Sequence, residues 1–335
     1  MSAPDAGAKP ELQRWHVTEP YLNLRCGLGE GPYYEEASHS LRFVDIKKKR
    51  VHVVDLAKIP YPNPNPDVDP SPSSAPSVVL SGGGGLETFQ LDTPVSVTAD
   101  IEGVDPRERI LIGVKYGLAV LDRRTGAYEY VARFGADKDD ERLRANDGAA
   151  DPHGRFWLGA MSDFGYDLRP EGSVFLFDGT RPARTMRHPV AIPNSVGWSP
   201  DRRTLYLTDS TARTIHAYDY DPVAGGSAPR DRPFYVHPGT GEPDGFRVDV
   251  QGNLWQAVYG EGRVLKISPE GKLVGEVRLP TRNVTCTQFV GTELFITTAG
   301  MEEGEGMPEE VRLSGALFRV DVGVKGLEPF PFKLN

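Results

Sequence analysis

Apolar residues recur along this chain in short runs bounded by Gly, Asp, Asn or Pro, the pattern of strands and tight turns rather than of helices. The stretch HSLRFVDIKKKRVHVVDL holds two such runs, Leu41 to Asp45 and Val51 to Leu56, around a turn. The same unit returns as RILIGVKYGLAVLDRRTGAYEYVARF, as GRFWLGAM with GSVFLFD, as RTLYLTDSTARTIHAYDYD, as GNLWQAVYGEGRVLKISPEGKLVGEVRL, and as TELFITTAG with GALFRVDV, six copies in all. After the first copy the spacing is about 40 to 50 residues, which suits propeller blades of four strands. Radial closure removes exposed sheet edges, so an all-β six-bladed propeller with four-stranded antiparallel blades is predicted ahead of a pair of sandwiches.

The whole chain, 1–335, reads as one propeller domain. The last unit lacks a clear outer strand, so the N-terminal strand near Arg14 to Val17 is predicted to close blade six. Between the third and fourth strands of blade one lies a proline-rich insertion, 59–78, whose prolines favour extended, solvated chain. Propeller alternation puts it on the face away from the lead-ins to the innermost strands. The charged stretch from Ala136 to Arg144 has no apolar face and is predicted as a solvated loop.

Charge and composition remove several function classes. With 38 Lys and Arg against 47 Asp and Glu, the net charge of −9 argues against a nucleic-acid partner. No apolar run approaches the roughly 18 residues of a membrane span, and the first residues show no basic and apolar leader, so the cytosol is the expected compartment. No obligate protein partner is evident. Cys26 and Cys286 are too few and too far apart for a disulfide framework and read as free buried thiols. None of the seven histidines forms an HxH or HExxH pair, no GxSxG elbow occurs, and the run Gly82 to Gly85 lacks the Lys and Ser or Thr of a phosphate loop.

The segments leading into the innermost strands surround the mouth of the channel. They are GLGEGPYY with Glu30, LRANDGAADPHG with Arg144, Asn146 and Asp147, IPNSVGWSPD with Asn194, and GEPDGFRVDV with Asp244. Glu30, Asn194 and Asp244 are oxygen donors of the kind that suits one hard divalent cation, Ca²⁺ first, with Mg²⁺ or Mn²⁺ possible and Zn²⁺ tolerated. Three protein oxygens leave coordination positions for water and substrate. Asp and Asn beside Gly are also ordinary turn residues, and that reading stays open for each motif taken singly.

These motifs also carry a resemblance. GEGPYYEEASHSLRFVDI, RANDGAADPHGRFWLGAM, PNSVGWSPDRRTLYLTDS and EPDGFRVDVQGNLWQAVYGEGRVLKISPEGK, in that order, are similar to the senescence marker protein 30, gluconolactonase and luciferin-regenerating enzyme family, from about Cys26 to the C-terminus. The resemblance implies a six-bladed propeller that holds one divalent metal in its channel and hydrolyses a sugar lactone. It implies Glu30, Asn194 and Asp244 as metal ligands, and Arg144 and Asn146 as substrate contacts. The chain departs from the family where Ser195 follows Asn194 in place of the usual Gly, and where SDFGYDLRPEG follows GAM. There Asp163 and Phe164 replace a pair of glutamates of animal relatives.

The expected mechanism has the metal polarising the lactone carbonyl and Asp244 doubling as general base for the attacking water. The joins 162–173 and 301–314 are lid candidates, and Asp163, Phe164, Tyr166 and Met301 are expected at the substrate wall. Two rivals remain at this stage: a metal-dependent hydrolase of other esters or phosphotriesters, and a calcium-binding propeller without turnover.

Overall fold

The computed structural model describes residues 12–61, 66–67, 78–80, 84–135, 139–180, 182–224 and 227–334. Six antiparallel sheets follow one another around a channel. Each innermost strand packs on the next: Gly29–Glu35, Val95–Ala99, Leu143–Ala150, Pro193–Trp198, Glu242–Val248 and Val284–Val290. They are buried on both faces, as strands lining a packed channel must be. The fold is the predicted all-β six-bladed propeller.

Two blades depart from four antiparallel strands. In blade one, Val78–Leu80 adds a fifth strand outside Leu86–Gln90. In blade five, Gln13–His16 adds a strand that runs parallel to Leu273–Arg278. The expectation that the segment near 14–17 closes blade six is therefore corrected. Blade six is completed by Leu22–Asn23, which pairs with Ala316–Asp321. The reason is packing: blade five offers Trp15 the buried Trp255 ring at 5.2 Å, with the Lys266 ammonium over both indoles.

Most of the insertion 59–78 lies outside the described residues. Its Pro66 and Asp67 are held by Asn23, whose backbone N–H donates to Pro66 O at 2.6 Å and whose Nδ2 donates to Asp67 Oδ1 at 2.9 Å. Of the charged stretch 136–144, residues 136–138 also lie outside the described part, and its end, Leu143 and Arg144, is strand rather than loop.

Buried aspartates lock the inner turns. Asp249 Oδ2 accepts from Trp255 Nε1 at 2.9 Å, and its Oδ1 accepts from the backbone N–H groups of Gln251 and Asn253. Asp151 repeats the arrangement with Trp157 Nε1 at 3.2 Å. This is the physical content of the D-x-x-G-x-apolar-Trp pattern that the two turns share: one carboxylate satisfies the donors of a turn that has no ladder partner.

Neighbouring blades are tied through side chains that reach main-chain carbonyls. Thr285 Oγ1 donates to Gly29 O at 2.6 Å, Thr287 Oγ1 to Trp255 O at 2.9 Å, and Ser210 Oγ to Pro243 O at 2.6 Å. At the end of the channel where the inner strands finish, residues 326–333 cross beneath the blades. Leu327 N bonds to Val248 O, Phe332 N to Asp100 O and Lys333 N to Gly154 O.

Candidate functional site

Every innermost strand carries one extra residue relative to its neighbour. The ladder slips between Glu30 and Tyr33, Val95 and Val97, Ala145 and Gly148, Asn194 and Val196, Pro243 and Phe246, and Val284 and Cys286. These are β-bulges at equivalent places in all six blades, and a bulge re-aims side chains that strict alternation would send to opposite faces. The expected site residues thus lie within the strands, not in segments leading to them. Gly31, with φ +53°, and Ser195, with φ +34°, take left-handed backbone at two of the bulges.

Four of the bulges bring Glu30, Asn146, Asp147, Asn194 and Asp244 to one level of the channel, all buried. Glu30 Oε2 accepts from Gly31 N at 2.9 Å. Asp147, for which the sequence suggested no role, accepts from Gly148 N at 2.7 Å and, across the blade boundary, from Ser195 N at 3.0 Å. Ser195 Oγ donates to Asp244 O at 2.5 Å, and Gln256 Nε2 donates to the same carbonyl at 2.9 Å. The serine hydroxyl thus joins the bulges of blades four and five. Gly245 packs so closely on blade six that a Cβ would meet Cys286 Sγ at 2.2 Å.

The orientation of Asn194 follows from its neighbours. The Ser210 hydroxyl spends its single proton on Pro243 O, so it accepts from Asn194 Nδ2, at 2.9 Å. Asn194 Oδ1 is thereby turned to the other side, where Asn146 Nδ2 donates to it at 3.0 Å. Asn146 also donates to Pro193 O and accepts from Arg144 Nη1 at 2.9 Å. Both of its amide protons and one acceptor site of its oxygen are thus taken up within the protein, by Pro193, Asn194 and Arg144.

The electrostatics are those of crowded buried acids. Burial first, then Asp147, push Glu30 up to about 8. Burial raises Asp147, with Arg247 opposing. Asp244 is driven well above the usual carboxylate range by burial and then by Glu30, Asp147 and Glu242. Burial holds Arg144 down to about 10. Its Nε is buried without a hydrogen-bond partner, and its guanidinium lies over the Phe164 ring at 4.5 Å.

Of the expected wall, Asp163 is bound to Lys115 Nζ at 3.0 Å and to Phe164 N at 2.8 Å, with Arg144 Nε 3.9 Å away. It therefore holds the join beside Arg144. Phe164 is 41% exposed and borders a cavity of about 610 Å³ with Lys47, Asp92, Lys115 and Tyr116. The Tyr166 ring sits under Arg142, which Glu171 holds, so its side chain is engaged away from the carboxylates. Met301 N is fixed by Ser314 Oγ at 2.9 Å.

A divalent cation fits the donor set. Three mutually repelling buried carboxylates and one oriented carboxamide oxygen are what a hard cation neutralises. Among the described residues, no three His, Cys, Asp or Glu side chains form a metal-ready group by themselves. Such a cation would draw on Asn194 Oδ1 as well as on the acids. No described helix is long and apolar enough to cross a membrane.

Comparison with known proteins places the chain among relatives that match it over nearly its whole length. The pentonolactonase of Haloferax volcanii is 33% identical over 321 residues, covering 92% of this chain and 96% of that protein. The regucalcin of Gallus gallus is 29% identical over 320 residues, covering 92% and 95%. Among solved structures, a luciferin-regenerating enzyme superimposes with a TM-score of 0.78 at 26% identity, covering 94% of this chain and 97% of that one. The sequence profile of the SMP-30/Gluconolactonase/LRE-like region matches residues 28–300, and the chain belongs to that family.

Proposed function

We propose that the protein hydrolyses a sugar lactone to the open-chain hydroxy acid with the help of one divalent cation, Ca²⁺ being the ion that best suits an all-oxygen site. The observation that carries this reading is the buried set of Glu30, Asp244 and the oriented Asn194 oxygen, facing Arg144 with its unpartnered Nε. The relation to a pentonolactonase supports the substrate class.

Glu30, Asn194 and Asp244 would hold the cation, whose contribution when bound is Lewis-acid polarisation of the lactone carbonyl. Arg144, whose Nε makes no hydrogen bond and whose guanidinium is backed by Phe164, donates to the substrate and orients the ester. Asp244 takes a proton from the attacking water as the C–O bond to that water forms. It returns the proton to the ring oxygen as the acyl–oxygen bond breaks, so the product carries a free hydroxyl and a carboxylic acid, which releases its proton to solvent and becomes the carboxylate. Asn146 keeps Asn194 and Arg144 in register, and Asp163 braces the wall.

The test is acid release, followed with a pH indicator, from five- and six-membered sugar lactones, an aryl ester and a phosphotriester. Each is run with chelator and after restoring Ca²⁺, Zn²⁺, Mn²⁺ or Mg²⁺. Metal-dependent turnover of a sugar lactone is expected. Turnover of the aryl ester or phosphotriester alone would replace the substrate class, and a bound metal with no turnover would make this a binding protein.

A further inference from the structure

Arg247 lies one residue beyond the blade-five bulge, on the same strand. Its guanidinium bridges three consecutive blades: Nη1 to Phe246 O at 2.9 Å in blade five, Nε to Gln288 Oε1 at 2.8 Å in blade six, and Nη2 to Pro32 O at 3.1 Å in blade one. All three acceptors are neutral. Among the described residues no carboxylate is within ion-pairing distance of it, so its charge is held in place without being paired off.

The arginine separates two compartments. On one side its bond to Pro32 O anchors it two residues along the inner strand of blade one from Glu30, and Asp244 stands three residues back on its own strand. On the other is a cavity of about 550 Å³, lined by Arg247, Tyr33, Trp198, Phe246 and Phe330, where the inner strands end and residues 326–331 cross the channel. Arg144, the other cation near the acids, is engaged at the opposite wall with Phe164 and Asp163. The carboxylates therefore sit between two arginines, of which only Arg247 is anchored wholly by uncharged groups.

We propose that Arg247 is a resident counter-charge beneath the carboxylates. It stabilises the cation-free protein and weakens divalent-cation binding, so that a metal entering from the mouth competes with a charge the protein supplies itself. This rests on the metal reading of the site given above. The physics is that of like charges in a poorly screened interior: a fixed positive charge lowers the repulsion among the acids, and it opposes a second cation arriving beside them. The role is electrostatic, so a charge-conserving replacement should retain it even where the carbonyl contacts change.

Isothermal titration calorimetry with Ca²⁺ and with Mn²⁺, together with thermal melts in chelator and in saturating metal, on the wild type, Arg247→Gln and Arg247→Lys, tests the proposal. Arg247→Gln is expected to bind the cation about tenfold more tightly. It should also lose more melting temperature in chelator than in metal, while Arg247→Lys stays close to wild type in both respects. Unchanged or weaker binding by Arg247→Gln, or equal losses with and without metal, would overturn the proposal in favour of a structural brace. If the wild type binds neither cation, the metal reading fails and the affinity half of the proposal falls with it. The chelator melts still judge the other half: Arg247→Gln melting as high as Arg247→Lys sinks it.

Discussion

The side-chain amide of Asn146 donates to the carboxamide oxygen of Asn194 at 3.0 Å, joining the inner strands of blades three and four. That bond, with Ser210 on the other side, leaves the Asn194 oxygen one orientation. Supporting groups of this kind commonly contribute about 10- to 100-fold to metal affinity or activity. Asn146→Ala is therefore expected to weaken metal binding by roughly tenfold as well as to slow turnover, a wider effect than a substrate contact alone would have. Calorimetry that finds metal affinity intact in this variant would return Asn146 to a purely substrate-facing role.

Asp244→Asn removes one of three mutually repelling buried acids while keeping an oxygen at the same place. Turnover is expected to fall by about 10²–10⁴-fold, the usual contribution of a general base. The melting temperature in chelator should rise, because burial and then like-charge repulsion raise Asp244 in the folded protein, a cost the neutral amide escapes. Retained activity would remove Asp244 from the proton-transfer role, and a lower melting temperature would contradict the electrostatic picture.

Asp249 is fully buried and accepts from two backbone N–H groups, Asn253 Nδ2 and Trp255 Nε1. Asp249→Ala leaves these donors unsatisfied, at an expected cost of about 3 kcal/mol or more. Urea unfolding measures it. A loss below about 1 kcal/mol would mean that water replaces the carboxylate in this turn.

The His52 ring, against Phe43 and bonded to Thr88 Oγ1 at 2.9 Å, is held down to about 3 by burial, with Arg50 and Lys48 adding repulsion. The folded protein keeps it neutral while the unfolded chain protonates it below about 6.5. Its stabilising contribution is complete above pH 6.5 or so and is lost as pH falls toward about 3, with a slope of up to about 1.4 kcal/mol per pH unit. His52→Gln should flatten the acid limb of stability across that window. An identical limb in the variant would assign acid sensitivity to other groups.

The propeller was readable because its strands and turns repeat with the same Asp, Gly and aromatic positions. Residues such as Asp249 and Trp255 act locally, within one hairpin. The destination of the N-terminal strand was not readable, since it depends on where Trp15 finds another indole in three dimensions. In the site, Glu30, Arg144, Asn146, Asn194 and Asp244 stood out as polar interruptions of apolar runs. Asp147 and Ser195 were visible there too but carried no role, because alternation sends successive residues to opposite faces and only the bulges turn both Asn146 and Asp147 toward blade four. Arg247 reads in FRVDV as an ordinary alternating position, and its reach to blades six and one exists only in the closed ring.

The six bulges separate what the channel presents from what the sheets need. The extra residue of each bulge has no ladder partner of its own, whereas Glu30 and Asn194 beside it pair with Val44 and Thr208. Ser96 and Thr285 occupy that extra place in blades two and six, where hydroxyls bond only to carbonyls and a neighbouring threonine. Of these two, Ser96 bonds within its own blade and can be rewritten alone, whereas Thr285 also ties blade six to blade one. New substrate contacts can be introduced at Ser96 while the acids opposite keep their places.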